Sequence, residues 1–215
     1  MKNYLEQKLI YKNNKLINED GRAVMMDWEN EWMYESAKII CANGGNILNI
    51  GFGMGIIDSY IQSHNIETHT IIEAHPDVYD KMIKDGWGNK KNVKIIFSKW
   101  QDVIDNLDTY DGIYFDTWDD YGFYDILLPK LKKLLKENGV FSYWEGFSNK
   151  FINTHTTDLL YKDFEFDYKK LHLKNVPSKK EQFENEDGYY WNEKWDECLI
   201  PIIKHRKTLI SKNLI

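Results

Sequence analysis

The stretch Asn46-Ile47-Leu48-Asn49-Ile50-Gly51-Phe52-Gly53-Met54-Gly55 decides the fold of this 215-residue chain. Its first half, Asn46 to Ile50, is a short apolar run that predicts a buried strand. Glycine then occupies every second position of a turn, and Ile56 to Ser63 is predicted to form the helix that follows. Glycines in such a turn let the backbone approach a ligand closely, and they leave the N-terminus of the next helix facing it. The stretch therefore predicts a strand–turn–helix unit that binds a ligand at its turn.

Strands and helices alternate after this turn. Further strands are predicted at Thr68 to Ile72, Val93 to Phe97, Tyr110 to Phe115 and Val140 to Trp144. Helices are predicted from Pro76 to near Gly86, over Trp100 to Leu107, and over Asp125 to Leu135, the last closed by the stop Glu137-Asn138-Gly139. Such alternation predicts a parallel sheet with helices on both faces.

The two ends of the chain add to this core. Lys8 to Met26 contains turn formers between short apolar pieces and is predicted to be a hairpin or an ordered arm, and Glu29 to Asn43 a helix. Near the other end, a helix at Phe151 to Tyr161 and strands at Phe164 to Leu173 and Leu199 to Lys204 are predicted. We predict one α/β Rossmann-like domain over residues 1–215, with a seven-stranded, mostly parallel sheet. Residues 1–28 would be an N-terminal arm or lid, and residues 29–215 the core.

Composition limits the classes of function. The net charge of −6 argues against nonspecific binding to nucleic acid or to anionic membranes, since both need a basic surface. No apolar run reaches the roughly 18 residues that span a bilayer, and the polar N-terminus is no signal peptide. The two distant cysteines, Cys41 and Cys198, then predict a cytoplasmic protein. The six histidines show no metal-ligand spacing, so no metal is expected. The oligomeric state stays open, with a homodimer as one possibility.

The glycine turn and an acid after the second strand together predict the cofactor. A dinucleotide fingerprint needs a third glycine three residues after the second, and Ile56 stands there, which disfavours a pyrophosphate-bearing ligand. Glu73 follows Gly51 by 22 residues, at the place where an acid accepts hydrogen bonds from both ribose hydroxyls. The alternative is a solvated glutamate at a strand end. The combination favours S-adenosylmethionine, which leaves as S-adenosylhomocysteine.

Two more strand ends face this cofactor. Trp100-Gln101-Asp102 lies where an adenine would sit, so Trp100 packs either on the ring or in the core, and Gln101 or Asp102 meets the amino group. Asp116 ends the fourth strand opposite the expected methyl group, where a carboxylate suits a cationic or amine acceptor. Enzymes that methylate DNA bases commonly carry an Asn/Asp-Pro-Pro-aromatic element here, and Thr117-Trp118 does not match it.

Five runs carry a family resemblance: Val24-Met25-Met26-Asp27-Trp28-Glu29, Gly51-Phe52-Gly53-Met54-Gly55-Ile56-Ile57-Asp58, Ile72-Glu73-Ala74-His75-Pro76-Asp77-Val78, Trp100-Gln101-Asp102 and Asp111-Gly112-Ile113-Tyr114-Phe115-Asp116-Thr117. Together they resemble the guanidino N-methyltransferases, a group that joins guanidinoacetate N-methyltransferase with the type IV protein arginine δ-N-methyltransferases. The second and third runs are closer to the arginine branch. The ankyrin-type N-terminal region of that branch is absent, so a stand-alone catalytic domain is expected.

The resemblance implies an S-adenosylmethionine-dependent enzyme that methylates a guanidino nitrogen of arginine, free or in a peptide or protein, or of a small guanidine. It implies that Glu29 and Asp116 bind the guanidinium through their carboxylates and act in catalysis. A guanidinium is planar with forked donors that pair with carboxylates, and its proton makes it a poor nucleophile at neutral pH. Two acids can therefore orient one nitrogen and accept the proton that it loses. The cofactor would contact Met33, Gly51, Phe52, Gly53, Met54, Gly55, Glu73, Ala74, Trp100, Gln101 and Asp116.

One position departs from the family. The loop after the fifth strand reads Glu145-Gly146-Phe147, where the family tends to carry Asn at the first position. In the guanidinoacetate enzyme this loop receives the carboxylate of the substrate, which a glutamate pointing inward would repel. We therefore expect arginine or a more cationic guanidine to be preferred, unless Glu145 points to solvent. The alternatives are a guanidinoacetate N-methyltransferase that makes creatine, another small amine as acceptor, and a non-catalytic S-adenosylmethionine-binding partner.

Overall fold

A computed structural model describes residues 3–118, 122–144, 162–173 and 197–206. Within these ranges the elements follow one another as β1 (Ile10–Lys12), β2 (Lys15–Ile17), β3 (Ala23–Met26), α1 (Asn30–Ile40), β4 (Asn46–Ile50), α2 (Ile56–Ile61), β5 (Thr68–Glu73), α3 (Pro76–Lys84), β6 (Val93–Phe97), α4 (Trp100–Val103), β7 (Tyr110–Phe115), α5 (Leu128–Leu134), β8 (Leu135–Tyr143), β9 (Phe164–His172) and β10 (Glu197–His205). None of these helices is long and apolar enough to cross a membrane.

Seven strands form the main sheet, in the order β6-β5-β4-β7-β8-β10-β9. β4 pairs in parallel with both β5 and β7, while β10 runs antiparallel to β8 and β9. The predicted seven-stranded, mostly parallel Rossmann-like sheet is confirmed. β6 and β7 follow one another in the chain but lie on opposite sides of β4. This change of direction opens a crevice at the carboxyl ends of β4 and β7, the usual ligand site of such sheets.

The strands bury apolar side chains on both faces of the sheet. In β4, Leu48 and Ile50 point into a core shared with α4 and α5, whereas Ile47 points into a second core shared with α1, α2 and α3. Alternate residues of a strand face opposite sides, so a strand covered on both faces is apolar at nearly every position. β4 has two polar residues, Asn46 at its partly exposed start and Asn49, which is fully buried.

The N-terminal arm is an antiparallel three-stranded sheet of β1, β2 and β3. Asn13 and Asn14 join its first two strands with φ of 51° and 60°, as in the type I′ turns that suit tight hairpins. Leu16 and Met25 of this sheet pack into the same core as α1, α2 and α3. The predicted hairpin is confirmed, with a third strand added, while its action as a lid stays a prediction.

Several boundaries differ from those predicted. The helix predicted from Glu29 to Asn43 spans only Asn30–Ile40, and a 3-10 helix, Asp27–Glu29, precedes it. A π-helical turn, Phe123–Leu127, precedes α5, and β8 begins directly after α5 instead of at Val140. The predicted stop at residues 137–139 lies inside β8, where the register with β7 shifts. Lys136 donates to Asp111 at 2.7 Å across this irregularity, a contact between residues far apart in sequence. The predicted helix at residues 151–161 lies outside the described residues.

Candidate active site

A cavity of about 320 Å³ lies at the carboxyl ends of β4, β5 and β7. The glycine turn forms its floor, and the beginning of α4 forms one side. Tyr4 and the end of β3 cover it from the N-terminal arm. Its volume is at the lower end of that of small-molecule sites.

The glycine turn has a backbone that side chains would obstruct. Gly51, Gly53 and Gly55 all have left-handed φ, of 94°, 56° and 69°. A Cβ on Gly51 would lie 1.8 Å from the carbonyl oxygen of Asp116, and one on Gly55 would lie 2.4 Å from the ring of Phe52. Glycine is therefore required at these positions for two reasons. Other residues avoid a left-handed φ, and no space is left for a Cβ atom. The turn thus fixes the end of β7 as well as the cavity floor.

Glu73 presents a carboxylate that the backbone holds in place. The Phe52 N–H donates to Oε2 at 2.9 Å, and the His75 N–H donates to Oε1 at 2.7 Å. Burial raises the pKa of Glu73, and the backbone donors oppose that shift. Each oxygen has a second lone pair, so the carboxylate can also accept from a pair of hydroxyls. This arrangement suits the ribose diol predicted from the sequence.

Glu29 and Asp116 form a second acidic wall. The Met26 N–H donates to Glu29 Oε1 at 2.8 Å, which orients a side chain that is 6% exposed. Burial and the neighbouring Asp116 raise the pKa of Glu29 to about 8. Burial and Asp58 raise the pKa of Asp116 to about 7. Like charges and low dielectric both disfavour ionisation, and a cation placed between the two acids would relieve both effects.

Aromatic side chains complete the acidic end of the cavity. Trp28, Trp118 and Trp144 line it together with Tyr4. Trp144 also stacks on Trp32, with ring centroids 5.7 Å apart. Flat rings around paired acids suit a flat cation, which can stack on a ring while its N–H groups meet carboxylates. Trp144 and Thr117 were not among the predicted site residues.

The arm is fastened to the cofactor side of the cavity by polar contacts. The Tyr11 hydroxyl donates to the carbonyl of Gly53 at 2.9 Å. His75 Nε2 lies 3.2 Å from the Tyr4 carbonyl and 3.1 Å from that of Gln7, while its Nδ1 accepts from the Asp77 N–H. Sequence reasoning missed His75 because its partners are about 70 residues away in the chain.

Most predicted site residues meet at this cavity: Glu29, Gly51, Phe52, Gly53, Glu73, Ala74, Trp100, Gln101 and Asp116 line it. Met54 and Gly55 do not line it, and neither does Met33, which is fully buried in the core beside α1. Trp100 lines the cavity and packs edge-on against Phe115, while its contact with an adenine ring stays a prediction. Asp102 is exposed and does not line the cavity. Glu145, Gly146 and Phe147 lie outside the described residues.

Solved structures share this fold. Spermidine synthase from Thermotoga maritima superposes with a TM-score of 0.61 at 13% identity, covering 93% of this chain and 73% of that one. TYW2 from M. jannaschii, solved in complex with AdoMet, has a TM-score of 0.55 at 13% identity, and the superposition covers 93% of this chain and 85% of the TYW2 chain. Identities this low concern the fold alone, and the two superpositions confirm the predicted α/β Rossmann-like architecture.

Curated relatives are closer in sequence. Protein arginine N-methyltransferase 2 of Saccharomyces cerevisiae is 42% identical over 159 residues, covering 66% of this chain and 38% of the yeast protein. The protein of the same name from Emericella nidulans is 30% identical over 216 residues, covering 94% of this chain and 50% of its own. The chain thus spans between a third and a half of the length of the curated relatives it matches. The sequence model of the family "Guanidinoacetate N-methyltransferase" matches residues 8–186, most of the chain, and the protein belongs to this family.

Proposed function

We propose that this chain transfers a methyl group from S-adenosylmethionine to a guanidino nitrogen, with arginine in a peptide or protein as the acceptor. The observation that carries the proposal is the pair of acids, the buried Glu29 and the partly exposed Asp116, in the same cavity as the glycine turn. A module that only binds the cofactor has no need of two acids with raised pKa values, because each costs folding free energy when it ionises.

The residues of the cavity fit the cofactor. Glu73 would accept from the ribose hydroxyls, and the glycine turn leaves room for the methionine part. Trp100 and Gln101 would hold the adenine, with the ring of Trp100 supplying apolar surface. When bound, S-adenosylmethionine supplies an electrophilic methyl group on a positively charged sulfur. The family membership supports this choice, and TYW2, which has the same fold, was solved in complex with AdoMet.

Glu29 and Asp116 would bind, orient and deprotonate the acceptor. Hydrogen bonds from the guanidinium to both carboxylates fix its plane, so that one nitrogen points at the methyl carbon. As that nitrogen gains the methyl group, it gives up one proton to a carboxylate. Two cations enter the site, and a methylated guanidinium, a neutral thioether and one proton leave it. Aromatic walls keep water from the acids and strengthen their interaction with the cation.

The charge of the cavity favours an acceptor without a carboxylate of its own. Among the described lining residues, Glu29, Glu73 and Asp116 are acidic and Lys99 is basic. Lys99 precedes Trp100 on the wall assigned to the adenine. Guanidinoacetate would bring a negative charge to this cavity, whereas an arginine side chain brings only its cation. The names of the curated relatives support the same choice.

Incubation of the purified chain with S-adenosylmethionine and four acceptors tests the proposal. The acceptors are an arginine peptide, free arginine, agmatine and guanidinoacetate, and mass spectrometry detects a gain of about 14 Da for each methyl group (CH3) that replaces a hydrogen. We expect methylated peptide, and guanidinoacetate to be a poor substrate. A clear preference for guanidinoacetate would favour the second candidate, a creatine-forming enzyme. Cofactor binding with no methylated product would leave only a binding partner.

A further inference from the structure

A buried polar cluster lies beneath the glycine turn, on the side away from the cavity. Asn49, Asp58 and His69 are each 0% exposed, and they come from β4, α2 and β5. Burial of three polar side chains in one place is costly, and the cost is offset only where hydrogen bonds replace those to water. The cluster therefore calls for a reason beyond packing.

Asn49 joins the cluster to the glycine turn. Asn49 Nδ2 donates to the carbonyl of Gly51 at 2.8 Å and to Asp58 Oδ1 at 2.9 Å. His69 Nε2 lies 3.1 Å from the same Asp58 oxygen, and its Nδ1 lies 3.2 Å from Gln62 Nε2. The approach of His69 to Asp58 lacks hydrogen-bond geometry, and neither His69 Nε2 nor Asn49 Oδ1 has a hydrogen-bond partner among the described residues.

Gly51 is the residue on which these contacts act. Its N–H donates to the Ile72 carbonyl at 2.9 Å, and its Cα faces the Asp116 carbonyl so closely that a Cβ would lie 1.8 Å from it. The Asp116 N–H in turn donates to the Ile50 carbonyl at 2.9 Å. A rotation of the Gly51 peptide would therefore displace the cofactor turn and the beginning of the segment that carries the Asp116 carboxylate.

Asp58 also acts on Asp116 through its charge. Its Oδ2 has no hydrogen-bond partner among the described residues. The ionisable groups near Asp116 are Glu29 before α1, Tyr114 on β7, Tyr4 of the arm and Asp58 on α2. Of these, Asp58 is the one behind the turn, and its charge adds to the effect of burial in raising the pKa of Asp116.

We propose that Asn49, Asp58 and His69 form a positioning unit that holds the Gly51 peptide and, from behind the turn, places and tunes the Asp116 carboxylate for methyl transfer. None of the three lines the cavity, so they act through Gly51 and through charge. The inference rests on the proposed function for its benefit to catalysis. Its effects on Asp116 and on cofactor binding can be measured without any acceptor.

The charge effect is tested by Asp58→Asn. Asparagine keeps the side-chain oxygen that accepts from Asn49, and it removes the charge. We expect the titration midpoint of the Asp116 carboxyl, followed by carbon-13 NMR, to fall by about half a pH unit to one unit. The matched control is Asp111→Asn, which removes a carboxylate near the opposite end of β7, where it pairs with Lys136. It should leave the midpoint of Asp116 unchanged.

The positioning effect is tested by Asn49→Leu, which keeps the volume and removes the donor to Gly51. Titration calorimetry with S-adenosylhomocysteine should show about tenfold weaker binding, since a buried carbonyl loses its partner. If Asn49→Leu does not fold, Asp58→Asn still decides the question. An unchanged Asp116 midpoint in Asp58→Asn overturns the tuning role, and an unchanged affinity in Asn49→Leu overturns the positioning role.

The failure of the proposed function gives a different pattern. In that case the wild-type chain forms no methylated guanidine, while both variants still show the shifts described above. If the wild-type chain is active, the acid limb of its rate against pH should move to lower pH in Asp58→Asn, in step with the NMR midpoint. An active enzyme whose acid limb stays in place would contradict the inference and leave the proposed function intact.

Discussion

The two acidic walls of the cavity differ in how their carboxylates are held. Glu73 accepts from backbone N–H groups at both oxygens, so its position is set before any ligand arrives. Glu29 accepts from the Met26 N–H, and Asp116 raises its pKa further instead of stabilising its charge. The first wall thus suits a neutral diol that needs fixed acceptors, and the second suits a cation that supplies the missing charge. The same side-chain chemistry serves two purposes because the backbone surroundings differ.

Gly51→Ala should have the largest effect, because Gly51 belongs to both walls. The added Cβ would meet the Asp116 carbonyl, and φ of 94° is unfavourable for alanine. We expect affinity for S-adenosylhomocysteine to fall at least about 100-fold, or the fold to be lost, since several kcal/mol of strain are introduced. Calorimetry and thermal melting measure this.

The matched control is Gly88→Ala. A Cβ there would meet a flexible methyl of Ile83 at 3.4 Å, and it should be tolerated. Affinity within twofold of wild type for Gly51→Ala would mean that the turn does not carry the cofactor.

Asp116→Asn should distinguish the roles of the two walls, because it should lower turnover and leave cofactor affinity nearly unchanged. The amide keeps the shape of the side chain and loses the charge and the capacity to take up a proton, so turnover should fall by about 10²–10⁴-fold. Affinity for S-adenosylhomocysteine should stay within about threefold, because Glu73 and the turn are unaffected. Asp102→Asn is the control, since Asp102 is exposed and does not line the cavity. Undiminished turnover would remove Asp116 from the mechanism.

Glu29→Gln should lower the activity and raise the stability of the protein at high pH. The pKa of Glu29 is about 8 when folded and 4.5 is the ordinary value, so the folded state disfavours its ionisation. The protonated form of Glu29 makes its full contribution to folding stability below pH 4.5, and this contribution is lost as the pH rises through about 8. The variant should therefore match the wild type near pH 4.5 and be more stable by about 1–3 kcal/mol at pH 8.5.

Urea unfolding at the two pH values measures this difference. The exposed neighbour Glu31 provides the control, and Glu31→Gln should show no such pH-dependent gain. Equal stability of Glu29→Gln and wild type at pH 8.5 would show that Glu29 is not held in the dry, repulsive setting assigned to it.

The sequence predicted the first of these walls better than the second. The glycine turn, Glu73 and the bounds of β4, β6 and β7 follow from local patterns, and the structure has them as predicted. Glu29 and Asp116 were paired only through a family resemblance, because 87 residues separate them in the chain. Met33 was assigned to the cofactor through the family resemblance, and Met54 and Gly55 as part of the glycine turn; none of the three lines the cavity.

Contacts between distant segments account for what sequence patterns did not predict. Residues 137–139 were expected to stop a helix, but the pairing of β8 with β7 and the neighbouring Lys136–Asp111 contact place them within a strand. The covering of the cavity by Tyr4 and its attachment to His75 likewise join residues 71 positions apart. Local propensity is decided within a few residues, whereas such contacts depend on the tertiary fold.

Tyr11→Phe should have the smallest effect, and it tests whether the N-terminal arm contributes to cofactor binding at the wall that holds Glu73. The change keeps the ring beside Lys81 and removes the hydroxyl that donates to Gly53. One neutral hydrogen bond contributes about 0.5–1.5 kcal/mol, so affinity for S-adenosylhomocysteine should fall by about two- to tenfold. Tyr34→Phe, on an exposed ring of α1, is the control and should change nothing. An effect of this size in Tyr11→Phe would mean that arm and turn bind the cofactor as one surface. Equal affinities for both variants would mean that the arm covers the cavity without contributing to the turn, and the cofactor wall would then consist of the sheet and its loops alone.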